Sequence, residues 1–236
     1  NQAIQGERNR TYDLPSYITD SDCRLTLYQN CRNTSAISQT SLTPLQLPQK
    51  RWNGSKVIDP WSVRVEKPVF HLLDDESLIV ETVNKVLDDL QAKDVTDIVL
   101  LTVGTMAYTA LRDGLESLGE GADKYWYYCY KRKRYRMTTA QRFKGLEATA
   151  IIMVDLKPDS FAGKNGMVFY VGASRAKLFL DFVAVIPESE YKNVIQSVKE
   201  TEPVNKSAKR LRNVIQDLFH AKVEDTRLSS VSEMNP

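Results

Sequence analysis

Asp97-Ile98-Val99-Leu100-Leu101-Thr102-Val103 and Ala150-Ile151-Ile152-Met153-Val154-Asp155-Leu156 decide the fold. Each is a short, near-continuous apolar run. A strand with one wet face alternates apolar and polar residues. A strand covered on both faces does not, and such strands belong to parallel sheets with helices on either side. Working outward, residues 74–90 carry Ile79, Val83, Val86, Leu87 and Leu90 at helical spacing. Residues 106–118 read as a second amphipathic helix, ended by Gly119 and Gly121. Residues 69–72, 125–130, 135–139 and 178–186 read as strands. Residues 167–177 and 187–200 read as helices, the latter with Pro187 near its first turn. This alternation predicts an α/β fold with a mostly parallel sheet and right-handed crossovers.

The flanks are less regular. Residues 1–24 are polar, and residues 25–28 suit a short strand. The polar stretch 30–39 leads toward a possible helix. Pro44, Pro48, Asn53-Gly54, Pro60 and Pro68 then mark connecting loops. Residues 206–219 form one more amphipathic segment, and residues 224–236 read as a disordered tail.

Composition narrows the classes. The 236 residues are 42% hydrophobic, enough for a core, and the formal net charge is +2. Affinity for a polyanion therefore has to come from local patches. The three cysteines, Cys23, Cys31 and Cys129, form no C-x-x-C pair, and the two histidines, His71 and His220, lie far apart. Zinc spacing and a disulfide framework are both absent, which suits thiols in a reducing, cytoplasmic compartment. No apolar run approaches the roughly 20 residues of a membrane span.

Three blocks carry candidate chemistry. In Thr138-Thr139-Ala140-Gln141-Arg142-Phe143-Lys144-Gly145-Leu146-Glu147 a glycine permits close backbone approach to a ligand. Glu147 can accept from a ribose hydroxyl, and Arg142 and Lys144 are charge-assisted phosphate donors. On residue types alone, an ordinary turn with solvated charges explains the block as well. In Phe169-Tyr170-Val171-Gly172-Ala173-Ser174-Arg175-Ala176-Lys177 one arginine ends an apolar helix. Taken alone it reads first as a surface arginine favoured by the helix dipole, and only second as an arginine finger. The third block, Leu25 through Thr34, offers Arg32 after a strand.

In their order these blocks resemble the UvrD/Rep-like helicases of superfamily 1. That family carries an Asn-x-Arg block, an aliphatic strand, a Thr-x-His-x-x-Lys-Gly-Leu-Glu block and a Tyr-Val-x-x-(Thr/Ser)-Arg-Ala block. Here they stand as Asn30-Cys31-Arg32, residues 97–101, residues 139–147 and residues 170–176. The opening Asn1-Gln2-Ala3-Ile4 resembles the end of the family's Asp-x-x-Gln block. The resemblance covers residues 1–187. It implies the second motor domain: a RecA-like, P-loop NTPase-type three-layer sandwich without a P-loop of its own. Residues 1–24 would come from the end of the first motor domain and a linker, residues 25–187 would be the helicase C-terminal domain, and residues 188–236 an extension.

The roles it implies are specific. Arg32 and Arg175 would reach the γ-phosphate of ATP, and Gln2 would contact that phosphate or couple it to DNA. Gly145 and Glu147 would line the nucleotide cleft, and Thr139 and Gln141 would touch single-stranded DNA. The family commonly has His where Gln141 stands; Gln donates to phosphate but does not titrate near neutral pH. Only 36 residues separate Leu101 from Thr138, too few for the accessory domain that large repair helicases insert there.

No G-x-x-x-x-G-K-[ST] occurs, and no Asp-Glu pair follows an apolar strand. In the family both belong to the first motor domain, which would hold most of ATP and Mg²⁺. The isolated chain is therefore expected to have no ATPase activity. Lys131, Arg132, Lys133 and Arg134, beside the aromatic run 125–130, suit a phosphate track on single-stranded DNA or else a solvated hairpin. Two other readings stay open: a helicase-like module of a nuclease or defence protein, and a non-catalytic nucleic-acid-binding domain.

Overall fold

A computed structural model describes residues 29–30, 33–45, 56–57, 66–119, 125–199 and 207–225. The expected strand at 25–28 lies outside these residues. Gln29–Asn30 (β1) and Lys56–Val57 (β2) pair in parallel as a small separate sheet. Between them runs α1, Ser35–Leu42, with Thr34 as its N-cap: the Thr34 hydroxyl accepts from Ile37 N at 3.3 Å.

The main sheet grows from the apolar runs. Val69–Leu73 (β3), Ile98–Thr102 (β4) and Ala148–Leu156 (β8) are almost wholly buried. Leu115–Leu118 (β5), Tyr125–Tyr130 (β6) and Lys133–Thr139 (β7) form a meander. Ala176–Val185 (β9) and Lys222–Asp225 (β10) complete eight strands in the order β10-β3-β9-β8-β4-β7-β6-β5. All pairs from β10 to β7 are parallel, and β6 and β5 add antiparallel pairs at one edge. The protein is thus α/β with a mixed, mostly parallel sheet flanked by helices.

Each face has its own core. On one side lies α2, Ile79–Ala92, whose Ile79, Val83, Val86, Leu87 and Leu90 are buried against Leu100, Ile152 and Val183. On the other side lies α3, Gly163–Ala173, with the helices Tyr191–Lys199 (α4) and Ala208–Phe219 (α5). Five phenylalanines tie that side together. Phe70 of β3 stacks on Phe182 of β9 at 4.3 Å, and Phe169 of α3 stacks on Phe182 at 4.8 Å. Phe219 of α5 meets Phe70 at 4.9 Å and Phe161 at 5.2 Å. The helices after Pro187 therefore share the core of the sheet. At the β10 edge, buried His71 lies 3.0 Å from Asp181 Oδ1 and 3.5 Å from Glu224 Oε2, joining three strands.

Several elements differ from the sequence expectation. Residues 106–118 are not a helix: turns lead to a 3₁₀ turn at Arg112–Gly114 and then to β5. Leu115–Leu118 pairs with residues 125–128 instead, and the Tyr128 ring lies against Gly114, where an added Cβ would sit 2.6 Å from it. The third helix begins at Gly163 and stops at Ala173, so Ala176 and Lys177 open β9. Glu224 and Asp225, expected in a disordered tail, belong to β10. No helix among the described residues is long and apolar enough to cross a membrane.

Candidate functional site

The turn before β8 and the turn before β9 meet at the amino edge of the sheet. Ala148 N donates to Arg175 O at 3.1 Å, and Ala148 pairs with Ala176 in register. Lys177 Nζ, at the start of β9, lies 2.9 Å from Glu147 Oε1 at a half-exposed position. Solvent screening makes that ion pair a small contributor to stability. Gly145 stands at φ +91° with nothing within 4 Å of a built Cβ. Its left-handed backbone alone calls for glycine.

Arg175 is nearly buried, 8% exposed, and its Nε donates to Val171 O at 3.0 Å. The guanidinium is thereby held against the last turn of α3, where carbonyls lack helix partners. The helix reaches this point because Gly172 allows close packing: a Cβ there would meet Met153 Cε at 2.7 Å and Ala140 Cβ at 3.2 Å.

A third segment joins this edge from far upstream. The Asn33 amide donates to Ser174 O at 2.9 Å and to Ala176 O at 2.6 Å. Asn33 is buried and so clamps the carbonyls on either side of Arg175. Gln2 and Arg32 themselves lie outside the described residues.

Thr139 is at the opposite edge. It is level with Thr102, which is level with Val154, six positions beyond Ala148. At ~3.3 Å per residue, Thr139 stands roughly 20 Å from the Glu147–Arg175 edge along the strands. Residues 140–147 make the return crossing. Ala140 N bonds to Thr102 O, Phe143 N bonds to Thr139 O, and the Phe143 ring is buried in the core. Gln141, Arg142 and Lys144 are exposed along this crossing; Arg142 N donates to Thr139 Oγ1 at 3.2 Å. One connection thus links the two edges on which the expected contacts fall.

The basic run is a hairpin whose tip, Lys131-Arg132, takes φ of 47° and 62° without a glycine. Much of its charge is engaged. Lys131 Nζ lies 2.8 Å from Asp88 Oδ1, and Tyr130 OH donates to the same carboxylate at 2.9 Å. Those two hydrogen bonds hold the Asp88 carboxyl below the usual carboxylate range, Lys131 contributing most. Lys133 donates to Gln91 Oε1 at 2.9 Å, and Arg134 pairs with Glu116 at 3.0 Å. Of the four expected phosphate contacts, Arg132 at the tip is exposed and has no such neighbour among the described residues.

Two features escape a reading by motif. Asp155, at φ 61° in a β8 irregularity, accepts from Thr102 Oγ1 at 2.6 Å and from Ala110 N at 3.1 Å, fixing the loop after β4. The one signal for it is an acid interrupting an apolar strand. Arg136 on β7 lies within cation–π reach of the Tyr125 and Phe143 rings, visible only if the basic run is read with strand alternation. Among the described residues, no cluster of three or more His, Cys, Asp or Glu side chains is placed to hold a metal ion. Comparison with protein-family models and with curated proteins gives no match to the chain.

Proposed function

We propose that this chain is the second, RecA-like motor domain of an ATP-dependent superfamily 1 helicase or single-strand translocase. The observation that carries the reading is the convergence of three distant segments at one sheet edge. Asn33, which follows Arg32 in the chain, clamps the turn bearing Arg175, and that turn pairs with the one bearing Gly145 and Glu147. These are the segments that the motif resemblance assigns to ATP, and they lie about 20 Å from Thr139, which it assigns to the DNA strand.

In this reading the phosphate loop and the Mg²⁺ ligands belong to a first motor domain, which presents ATP across a cleft. Closure brings Arg175 and Arg32 to the γ-phosphate, where arginine stabilises charge on the transferring group. Catalytic groups are assembled only on closure. Residues 140–147 connect the nucleotide edge to Thr139 and Gln141, so movement at one end displaces the other. A binding-only role is the alternative, favoured by the aromatic and basic hairpin taken alone.

The two readings separate in a reconstitution. The chain alone should show no ATP turnover with single-stranded DNA, and joined to a phosphate-loop half from its own parent it should show DNA-stimulated turnover. Turnover by the pure chain, or none by the joined halves, contradicts the motor reading.

A further inference from the structure

On the side of the β5–β6–β7 corner turned away from α2, Tyr125 and Arg136 are exposed. Residues paired across strands project to the same side. Tyr128 and Tyr135 pair and go to the α2 side, where both are buried and Tyr128 OH donates to Asn84. Glu116, Tyr127 and Arg136 form the neighbouring cross-strand row on the other side, with Tyr125 two residues before Tyr127. Tyr125 is 52% exposed, Tyr127 is half-buried and Arg136 is exposed.

Charge and geometry here point to one kind of partner. The Arg136 guanidinium lies 6.0 Å from the Tyr125 ring centroid and 5.6 Å from that of buried Phe143, within cation–π reach of both. Among the described residues it has no carboxylate at ion-pair distance. Glu116, the acid in its row, is paired with Arg134 at 3.0 Å. The face thus offers the exposed Tyr125 ring, the half-buried Tyr127 ring and a cation with no acidic partner among the described residues. Rings accept unstacked bases of any identity, and a planar guanidinium accepts phosphate. A duplex keeps its bases stacked inside and cannot use the rings.

We propose that Tyr125, Tyr127 and Arg136 form a base-stacking platform for single-stranded nucleic acid. It rests on the motor reading and extends that reading's strand path: Arg136 precedes Thr139 by three residues on β7, about 10 Å along the strand. The odd offset puts the Thr139 side chain on the α2 side and Arg136 on the other, so a nucleic-acid strand touching both passes around the end of β7.

The test uses the 236-residue chain and an oligothymidine carrying 5-iodouracil. Photo-crosslinked peptides are mapped by mass spectrometry, and affinity is read by fluorescence anisotropy against salt. Crosslinks should fall on Tyr125 or Tyr127. Tyr125→Ala with Tyr127→Ala should weaken binding at least tenfold with unchanged thermal unfolding, whereas Tyr125→Phe with Tyr127→Phe should stay within twofold. Arg136→Ala should reduce the salt slope by about 1. Equal affinity for the double alanine variant, with crosslinks confined to residues 139–144, removes the platform and leaves the motor reading intact. No binding of the oligonucleotide by the wild-type chain counts against both.

Discussion

Asn33→Ala should loosen the joint that holds the turn bearing Arg175. The wild-type amide donates to Ser174 O at 2.9 Å and to Ala176 O at 2.6 Å in a buried site. Alanine removes both donors and strands two carbonyls away from water. Each unsatisfied group costs about 1–3 kcal/mol, and partial relaxation around the smaller side chain brings the pair to roughly 2–3 kcal/mol. For a domain of this size that lowers the melting temperature by about 4–12 °C. Asn33→Asp is the sharper variant, because it keeps the shape but turns a donor into a charged acceptor facing two acceptors. It should be worse than alanine at neutral pH, since a buried unpaired charge is the costlier defect. It should recover toward alanine as acid protonates the new carboxyl. Thermal unfolding followed by far-UV circular dichroism at pH 7 and pH 4 reads both effects. A shift for Asn33→Ala of under about 1 °C, or an aspartate variant as stable as the alanine variant at pH 7, refutes the clamp.

Other perturbations probe separate parts of the account. Phe219→Ala should cost about 3–5 kcal/mol in urea unfolding, because the ring is fully buried among Phe70 and Phe161; a loss under about 1 kcal/mol would mean that α5 is not part of the core. Gly145→Ala should cost about 1–2 kcal/mol from backbone strain at φ +91°, lowering the urea midpoint without changing the slope; an unchanged midpoint contradicts it. Burial raises the Tyr128 phenol above the usual tyrosine range, and Tyr135 likewise. An acid raised in the folded state stabilises fully below its unfolded pKa, and that share is lost as pH rises toward the folded one. Stability should therefore fall as pH rises above about 10, less steeply in Tyr128→Phe, and equal slopes would exclude Tyr128 as a cause.

The fold was legible where burial is two-sided. Residues 97–103 and 150–156 announced themselves because neither face of β4 or β8 meets water, and α2 because its apolar stripe repeats at helical spacing. The misreadings came from pairing that no local window contains. Met106, Ala110, Leu111 and Leu115 have a helix-like spacing, yet Leu115–Leu118 gains more by pairing with β6. The polar Lys222–Asp225 is a strand only because β3 offers an edge. The candidate site divides in the same way. Arg175 and Glu147 could be singled out by motif, but their adjacency, and the reach of Asn33 across 141 positions to Ser174, are tertiary facts. Arg136 follows a run read for its charge, and alternation on β7 separates it from Tyr135 and sets it beside the exposed Tyr125 ring and the buried Phe143 ring.

The central claim is that Arg175 completes an ATP site shared with another domain. Its most direct test is single-stranded-DNA-stimulated ATPase activity of the intact protein carrying both halves, wild type beside Arg175→Ala and Arg175→Lys. Thermal unfolding of each variant separates lost chemistry from lost fold, a needed control because the side chain is buried and bonded to Val171. Wild-type turnover should be robust and should fall on the order of 10³ or more in the alanine variant while it remains folded. A folded Arg175→Ala protein within about tenfold of wild type, or a wild-type protein that does not hydrolyse ATP on single-stranded DNA, contradicts the claim.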